Sequence, residues 1–289
     1  MTLSAGWPFP RNLFILIAFV CASAVFALSP QHAKKPATAE PSPTPAAATT
    51  ASQPTFAAPA IARPRSEYQF PIGQTYVYSA VWRVFNAGIA TLRMEPAGPE
   101  HRVVATADAA GTISLLYHVQ DKLESFFDPA TFCSHSSSRH LEEGFRRVET
   151  NLAFDYKLGK VVLDHKNLKK NESKHEEHEI PGCVTDMLSA IYYVASLPLQ
   201  TGKTYDFPIN DGGPMLTVVV HVEAREAIKT PAGTFNTIRV QPETASGALR
   251  DKGKVWIWYS DDAARIPVQM RARLSWGTLT FSLLRIEKK

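Results

Sequence analysis

The stretch Thr278-Leu-Thr-Phe-Ser-Leu-Leu-Arg-Ile286 puts Leu279, Phe281 and Leu283 on one face of an extended chain and Thr278, Thr280 and Ser282 on the other. A period of two with one apolar face is the mark of a half-buried antiparallel strand. Working outward from it, similar strand signals recur at Pro267–Leu274, Lys254–Ser260, Thr234–Gln241, Met215–Ala227 and Thr204–Ile209. In the first half, Thr75–Phe85 leads through Asn86-Ala-Gly88 into Ile89–Met94, and strands are expected at His101–Ala109, Tyr117–Phe127 and Thr131–Leu141. Phe145–Phe154 then turns at Lys157-Leu-Gly-Lys160 into Val161–His165. Turn residues between apolar runs mark both of these pairs as hairpins.

One segment has a different period. In Thr185–Leu197 (TDMLSAIYYVASL), Met187, Leu188, Ile191, Val194 and Ala195 share a helical face, Thr185 or Asp186 supplies the N-cap and Pro198 stops the turn. So short a helix needs a docking surface, and Ser189 belongs to a face expected to tolerate change. The fold class is therefore mainly β: a curved antiparallel sheet, as a half-barrel or two β lobes, around one central helix at about 185–197. A faint repeat favours lobes at 67–182 and 199–289. Gly73-Gln-Thr-Tyr76 returns as Gly202-Lys-Thr-Tyr205, Ala110-Gly-Thr112 returns as Ala232-Gly-Thr234 at strand entrances, and acidic turns follow Phe127 and Ser260.

Before this pattern the chain reads differently. Leu13–Leu28 (LFILIAFVCASAVFAL) follows Arg11, and at ~1.5 Å per residue it spans roughly 24 Å against a hydrocarbon core of about 30 Å. Residues 1–28 thus have the shape of a signal peptide cut after Ala24 or Ala27, or of an uncleaved signal anchor. Lipidation at Cys21 is disfavoured by the bulky Phe19-Val20 before it. Lys34 and Lys35 on the far side weaken the charge argument for orientation. Residues 29–66 are rich in Pro, Ala and Thr and nearly free of large apolar side chains, which makes them a tether to the β-rich residues 67–289. Of 31 basic and 27 acidic residues, five and one precede Glu67, so the rest is neutral. A neutral domain without a basic stripe is a poor match for a phosphate backbone, and nucleic acid is excluded as the expected partner.

Several motifs carry a family likeness: the Gly-x-Thr-Tyr strand openings, Cys183-Val-Thr-Asp-Met-Leu-Ser-Ala-Ile-Tyr-Tyr193, Leu197-Pro-Leu, Pro231-Ala-Gly-Thr-Phe235 and Trp256–Arg273 with Ile266-Pro-Val268. In their order, over residues 68–287, the chain resembles the bacterial domain of unknown function 3108 family. The resemblance implies an envelope location and a β-rich fold, and brings no catalytic residues with it.

Chemistry-bearing patterns are few. There is no Gly-x-Ser-x-Gly elbow, His-Glu-x-x-His helix or Gly-rich phosphate loop. His165, His175 and His178 are the best metal candidates, but they stand in a run of lysines and glutamates that reads as a solvated segment, so no metal or cofactor is expected. Cys133 and Cys183 form a plausible disulfide in an oxidising compartment, with two buried free thiols as the alternative. Asp211-Gly-Gly-Pro214 is a turn whose glycines supply positive φ. Trp256 and Trp258 share one strand face, and Val255, Ile257 and Tyr259 form the other, so that strand is central or lines a cavity. Tyr192 and Tyr193 are packed in the core or, with Trp256 and Trp258, line a ligand site. The expected role is a non-catalytic envelope module that binds or carries an apolar or envelope-derived ligand or docks a partner protein, meeting the membrane only through an uncleaved N-terminal segment. The rival is an envelope-polymer hydrolase using dispersed carboxylates such as Asp128, Asp155, Asp186 and Asp211. A deep apolar cavity favours the first and two facing carboxylates the second.

Overall fold

The computed structural model describes residues 60–288 except 181, 245–252 and 276. The apolar run with Cys21, the tether up to residue 59, and Trp276 lie outside the described residues.

The first half of the chain forms β1 (Gln74–Trp82), β2 (Phe85–Ala97), β3 (Glu100–Ala109), the short helix α1 (Gly111–Leu116), β4 (Val119–Phe127), β5 (Ser134–Glu143), β6 (Arg146–Asp155), β7 (Lys160–Asn167) and β8 (Glu172–Glu179). Helix α2 (Met187–Ser196) follows, and then β9 (Thr204–Ile209), β10 (Leu216–Thr230), β11 (Gly233–Thr244), β12 (Gly253–Ser260), β13 (Pro267–Leu274) and β14 (Gly277–Lys288). All belong to one 14-stranded sheet, ordered β8 to β1 and then β14 to β9. Two meanders of sequential hairpins meet at the antiparallel β1–β14 pair, where Gln74–Trp82 run beside Lys288–Leu279. The strands do not divide into two separate sheets.

The sheet curls without closing into a barrel. Its edges, β8 and β9, do not pair with one another. Instead the segment before α2 bridges the gap: Val184 accepts the N–H of Ser134 at the start of β5, and Thr185 forms a parallel bridge to Ile209 in β9. The β9–β10 turn reaches across to β6 and β7. A side-chain carbon on Gly212 would stand 2.9 Å from Leu152 and 3.0 Å from Leu163, and its φ is +93°, so glycine is required twice over. Gly213 needs no positive φ.

Helix α2 seals one end of the curl. Asp186 caps it by accepting the N–H groups of Leu188 (2.8 Å) and Ser189 (3.1 Å). The helix is buried on nearly every side, in contrast to the tolerant face expected around Ser189, which is completely buried. Ser189 shares a 2.7 Å hydrogen bond with Ser125, and Ser125 and Ser134 both donate to the Asp186 carboxylate. Ala60–Ser66, the last residues of the stretch read as a tether, lie against this helix: Ala62 donates its N–H to the Tyr193 hydroxyl at 3.0 Å, and Arg65 donates to the Ser196 carbonyl at 3.0 Å.

Three local readings change. The first hairpin turns at Arg83-Val84, with Arg83 in the left-handed region at φ 56°, while Asn86-Ala-Gly88 lies inside β2 around a register shift. Gly88 fits there because a side-chain carbon would stand 2.1 Å from the Asp108 carbonyl oxygen. Ala110-Gly-Thr112 opens α1 and not a strand. The charged run after His165 forms the β7–β8 hairpin: β8 is an edge strand, needs no apolar face, and is kept from further pairing by its charges.

Candidate functional site

The concave face changes character along its length. Beside α2 it is filled by large rings: Tyr76, Tyr78, Tyr259, Phe127, Phe132 and Phe207. Toward the turns at the other end several inward residues are small, Ala80, Ala90, Ala105 and Ala109, among the larger and buried Trp82, Val119, Val148 and Leu279. Exposure rises in step. On β2 it runs from Met94 (0 %) through Leu92 (3 %) to the partly exposed Ala90. On β12 it climbs from Tyr259 (0 %) through Ile257 (9 %) to the partly exposed Val255. Inward-facing apolar side chains that retain contact with solvent line an open basin.

One wall of that basin is polar. Asp121 stands on β4 between the inward Val119 and Leu123, Arg139 and Glu143 flank Leu141 on β5, Thr150 follows Val148 on β6, and His165 projects from β7. Asp121 and Glu143 are both almost fully buried. One Asp121 oxygen accepts the Glu142 N–H at 3.0 Å, while its second oxygen and Oε1 of Glu143 are buried without a hydrogen-bond partner. Burial, reinforced by the neighbouring Glu143 charge, pushes Asp121 up to about 8, so near neutrality it keeps its proton and can donate. Burial also raises Glu143, against the pull of Arg146, which donates to it at 2.9 Å. Tyr117 is raised to about 12 by burial and then by the Glu143 and Asp121 charges. His165 is held below its ordinary value by burial and then by the charges of Arg146, Lys174 and Arg139, and its Nδ1 lies 2.8 Å from the Thr150 hydroxyl. Deeper in, Arg139 donates to the side chain and backbone carbonyl of Asp211. Burial nonetheless lifts Asp211 to about 6.

Of these wall residues, His165 and Asp211 stand out in the sequence for other roles, whereas Asp121, Arg139 and Glu143 were missed, although a signal was present. In Val119-Gln-Asp-Lys-Leu123 and Arg139-His-Leu-Glu-Glu143 the ionisable residues Asp121, Arg139 and Glu143 fall in the same phase as the apolar ones. A charge in the buried phase of a strand marks a site that must be compensated or used.

The residues singled out beforehand are dispersed. Tyr192 is buried among the core tyrosines, its hydroxyl without a hydrogen-bond partner and its ionisation strongly disfavoured by burial. Tyr193 packs edge-on against Phe207 (4.7 Å) and Phe132 (5.4 Å). Trp256 and Trp258 lie on the opposite face of β12 from Val255, Ile257 and Tyr259. Trp258 is covered there by Arg271, 5.2 Å above its ring, and donates to Glu226 at 2.8 Å. Cys133 and Cys183 are joined as a disulfide that ties the β4–β5 turn to the segment before α2. Asp128 and Asp155 cap turns through backbone N–H groups, and Asp186 caps α2. His175 pairs with Asp164 at 2.7 Å and His178 with Glu176 at 3.6 Å, well apart from the His165–Thr150 contact. A groove of about 390 Å³ on the convex face, between Thr75 and Lys122, is bordered by an ion-pair ladder in which Glu95 binds Arg93 and Arg102, and Glu124 binds Arg102 and Lys122. Its charges pair with one another, with Nε of Arg93 and of Arg102 left without a hydrogen-bond partner.

Comparison with curated proteins gives no match. Among solved structures, the chain is similar to a "beta-barrel-like protein of domain of unknown function DUF1849" from Brucella abortus, with a TM-score of 0.48 and 9% identity over 75% of this chain and 98% of that one. It is also similar to a "putative lipoprotein" from Parabacteroides distasonis (TM-score 0.34, 10% identity, 79% and 99% covered). A third is a "putative exported protein with YmcC-like fold" from Bacteroides fragilis (TM-score 0.30, 12% identity, 79% and 100% covered). The sequence itself is matched over residues 77–284 by one family model, and the chain belongs to that family, the Protein of unknown function (DUF3108) family.

Proposed function

We propose that this is an exported envelope protein, held by its N-terminal segment and tether, that binds or carries an amphipathic, envelope-derived ligand in the concave basin. The observation that carries this reading is that inward apolar side chains on β2, β3 and β12 are left partly uncovered at the end away from α2. The ligand's apolar part lies against Ala90, Ala105 and Val255. Its polar end meets Asp121, Glu143 and Tyr117, where a protonated carboxyl donates and a second carboxyl oxygen accepts. The disulfide fits an oxidising compartment. Native mass spectrometry of protein purified from its own envelope tests the reading. A retained adduct that disappears in Ala105→Trp, with the fold intact, is the expected result. No adduct, or one that survives that substitution, overturns it.

One observation favours a second reading, a hydrolase: Asp121 keeps its proton to about 8 beside Glu143, as a general acid beside a base requires. Under that reading the adduct seen with Asp121→Asn would be intact substrate, and with the native protein cleaved product.

A further inference from the structure

Which turns share an end of the sheet follows from the strand pairing. The β1–β2 turn, α1, the β5–β6 turn and the β7–β8 turn lie at the open end of the basin, because Gly88 pairs with Ala109, Val119 with Glu143 and Val148 with Asn167. These turns carry the most exposed large apolar side chains of that end: Val84 (83%), Phe85, Leu115 (85%) and Phe145 (91%). Cations stand beside them. Arg83, Arg146, Arg147, Lys169 and Lys170 are all exposed, and the Lys169 ammonium lies 5.5 Å from the Phe145 ring centre. These four turns, 83–84, 110–118, 144–145 and 168–171, contain no Asp or Glu, and the β9–β10 turn with Asp211, on the same side by strand pairing, is folded back against β6 and β7. The adjoining Glu142, Glu143 and Glu172 pair with Arg147, Arg146 and Lys170, so these charges partly offset one another and Arg83 and Lys169 carry most of the positive character of the rim. The turns at the α2 end are more acidic, with Asp128 between β4 and β5, and Asp261 and Asp262 between β12 and β13, and carry one strongly exposed apolar tip, Leu158 (72%) beside Lys157.

We infer that the open rim of the basin docks onto an anionic lipid surface, with Phe85, Leu115 and Phe145 entering the headgroup boundary and the rim cations over the phosphates. Aromatic and aliphatic tips interleaved with lysine and arginine are what such an interface selects, and their clustering at this end, against the single Leu158 at the other, favours one orientation. Membrane contact is then not confined to the N-terminal segment, and the basin opens toward the bilayer. The inference goes beyond the ligand reading and does not depend on it, since it rests on the rim alone.

Hydrogen exchange on the full chain, with vesicles of phosphatidylglycerol and phosphatidylcholine or of phosphatidylcholine alone, tests it and separates the rim from residues 1–59. Amides at 83–86, 110–118 and 144–147 should exchange more slowly with the anionic vesicles only, and those at 128–133 and 156–159 should not change. Phe145→Ser should weaken rim protection on the order of tenfold or more, and Lys169→Gln about fivefold. Protection confined to residues 1–59, equal protection at both ends, or full rim protection in Phe145→Ser overturns the inference. An adduct in native mass spectrometry without rim protection would leave the ligand reading standing and remove this one, and rim protection without an adduct would do the reverse.

Discussion

The two ends of this curled sheet follow the same alternation and yet do opposite things. At the α2 end, tyrosine and phenylalanine rings fill the concave face, the helix is buried almost all round, and a disulfide and a capped carboxylate hold it down. At the other end several inward positions are alanines, ionisable groups stand in the buried phase, and apolar side chains remain at the turns. Stability is concentrated where the rings are. The alanine end is left free to accommodate something else, which a uniformly filled core of this size would not allow.

The largest effect expected from this contrast is at Asp186. It accepts two backbone N–H groups and two serine hydroxyls in a site that is 2 % exposed, so Asp186→Ala strands four donors in the core. Urea unfolding should show a loss of about 5 kcal/mol or failure to fold. A loss under about 1 kcal/mol would mean that the helix end does not carry the stability assigned to it.

Opening the disulfide comes next. Its cysteines are 50 residues apart, which on the chain-entropy model corresponds to about 4 kcal/mol. Cys133→Ser with Cys183→Ser should lower the urea midpoint accordingly. In the native protein, neither thiol should label with an alkylating reagent in denaturant until a reductant is added.

How much of this was legible depended on whether side chains announced their surroundings. β9 and β13 could be read to the residue because apolar positions and turn residues agreed. β8 could not: an exposed edge strand has no buried face, and its Lys, His and Glu residues look like a solvated loop. Ser189 was misread because a small polar side chain on a helix ordinarily faces water, whereas here Ser125 and Asp186 lie across from it. The polar wall was overlooked for a related reason. A search for motifs along the chain does not find Asp121 and Glu143, which come together only through the β4–β5 register.

A smaller effect belongs to that wall. Because the folded-state value of Asp121, about 8, is raised above the ordinary 3.8, the folded protein holds a proton that the unfolded chain releases. The stability this contributes is full below about 4 and falls as the pH rises toward 8. Asp121→Asn keeps an oxygen for the Glu142 N–H and removes the titration. It should therefore flatten this part of the pH–stability curve and exceed the native protein at pH 8 by about 1–3 kcal/mol. Identical pH dependence in the two proteins would place the Asp121 carboxyl in contact with water.

The smallest effect on stability is expected at the rim, and its smallness is the point. Phe145 is 91% exposed at the tip of the β5–β6 turn, with the Lys169 ammonium as its near neighbour. Replacing it with serine removes little buried surface, so the melting temperature should hold and the cost should stay within about 0.5 kcal/mol. The same change in a residue retained for folding, such as the buried Phe127 at the α2 end, should cost about 3–5 kcal/mol. A phenylalanine held out in water beside lysine and arginine is what the proposed lipid contact would use. If Phe145→Ser instead destabilises as much as Phe127→Ser, the side chain is packed and the contrast between the two ends fails. If stability is unchanged while binding to anionic vesicles falls, the open end is a surface kept for contact, and the closed end is the part that keeps it in place.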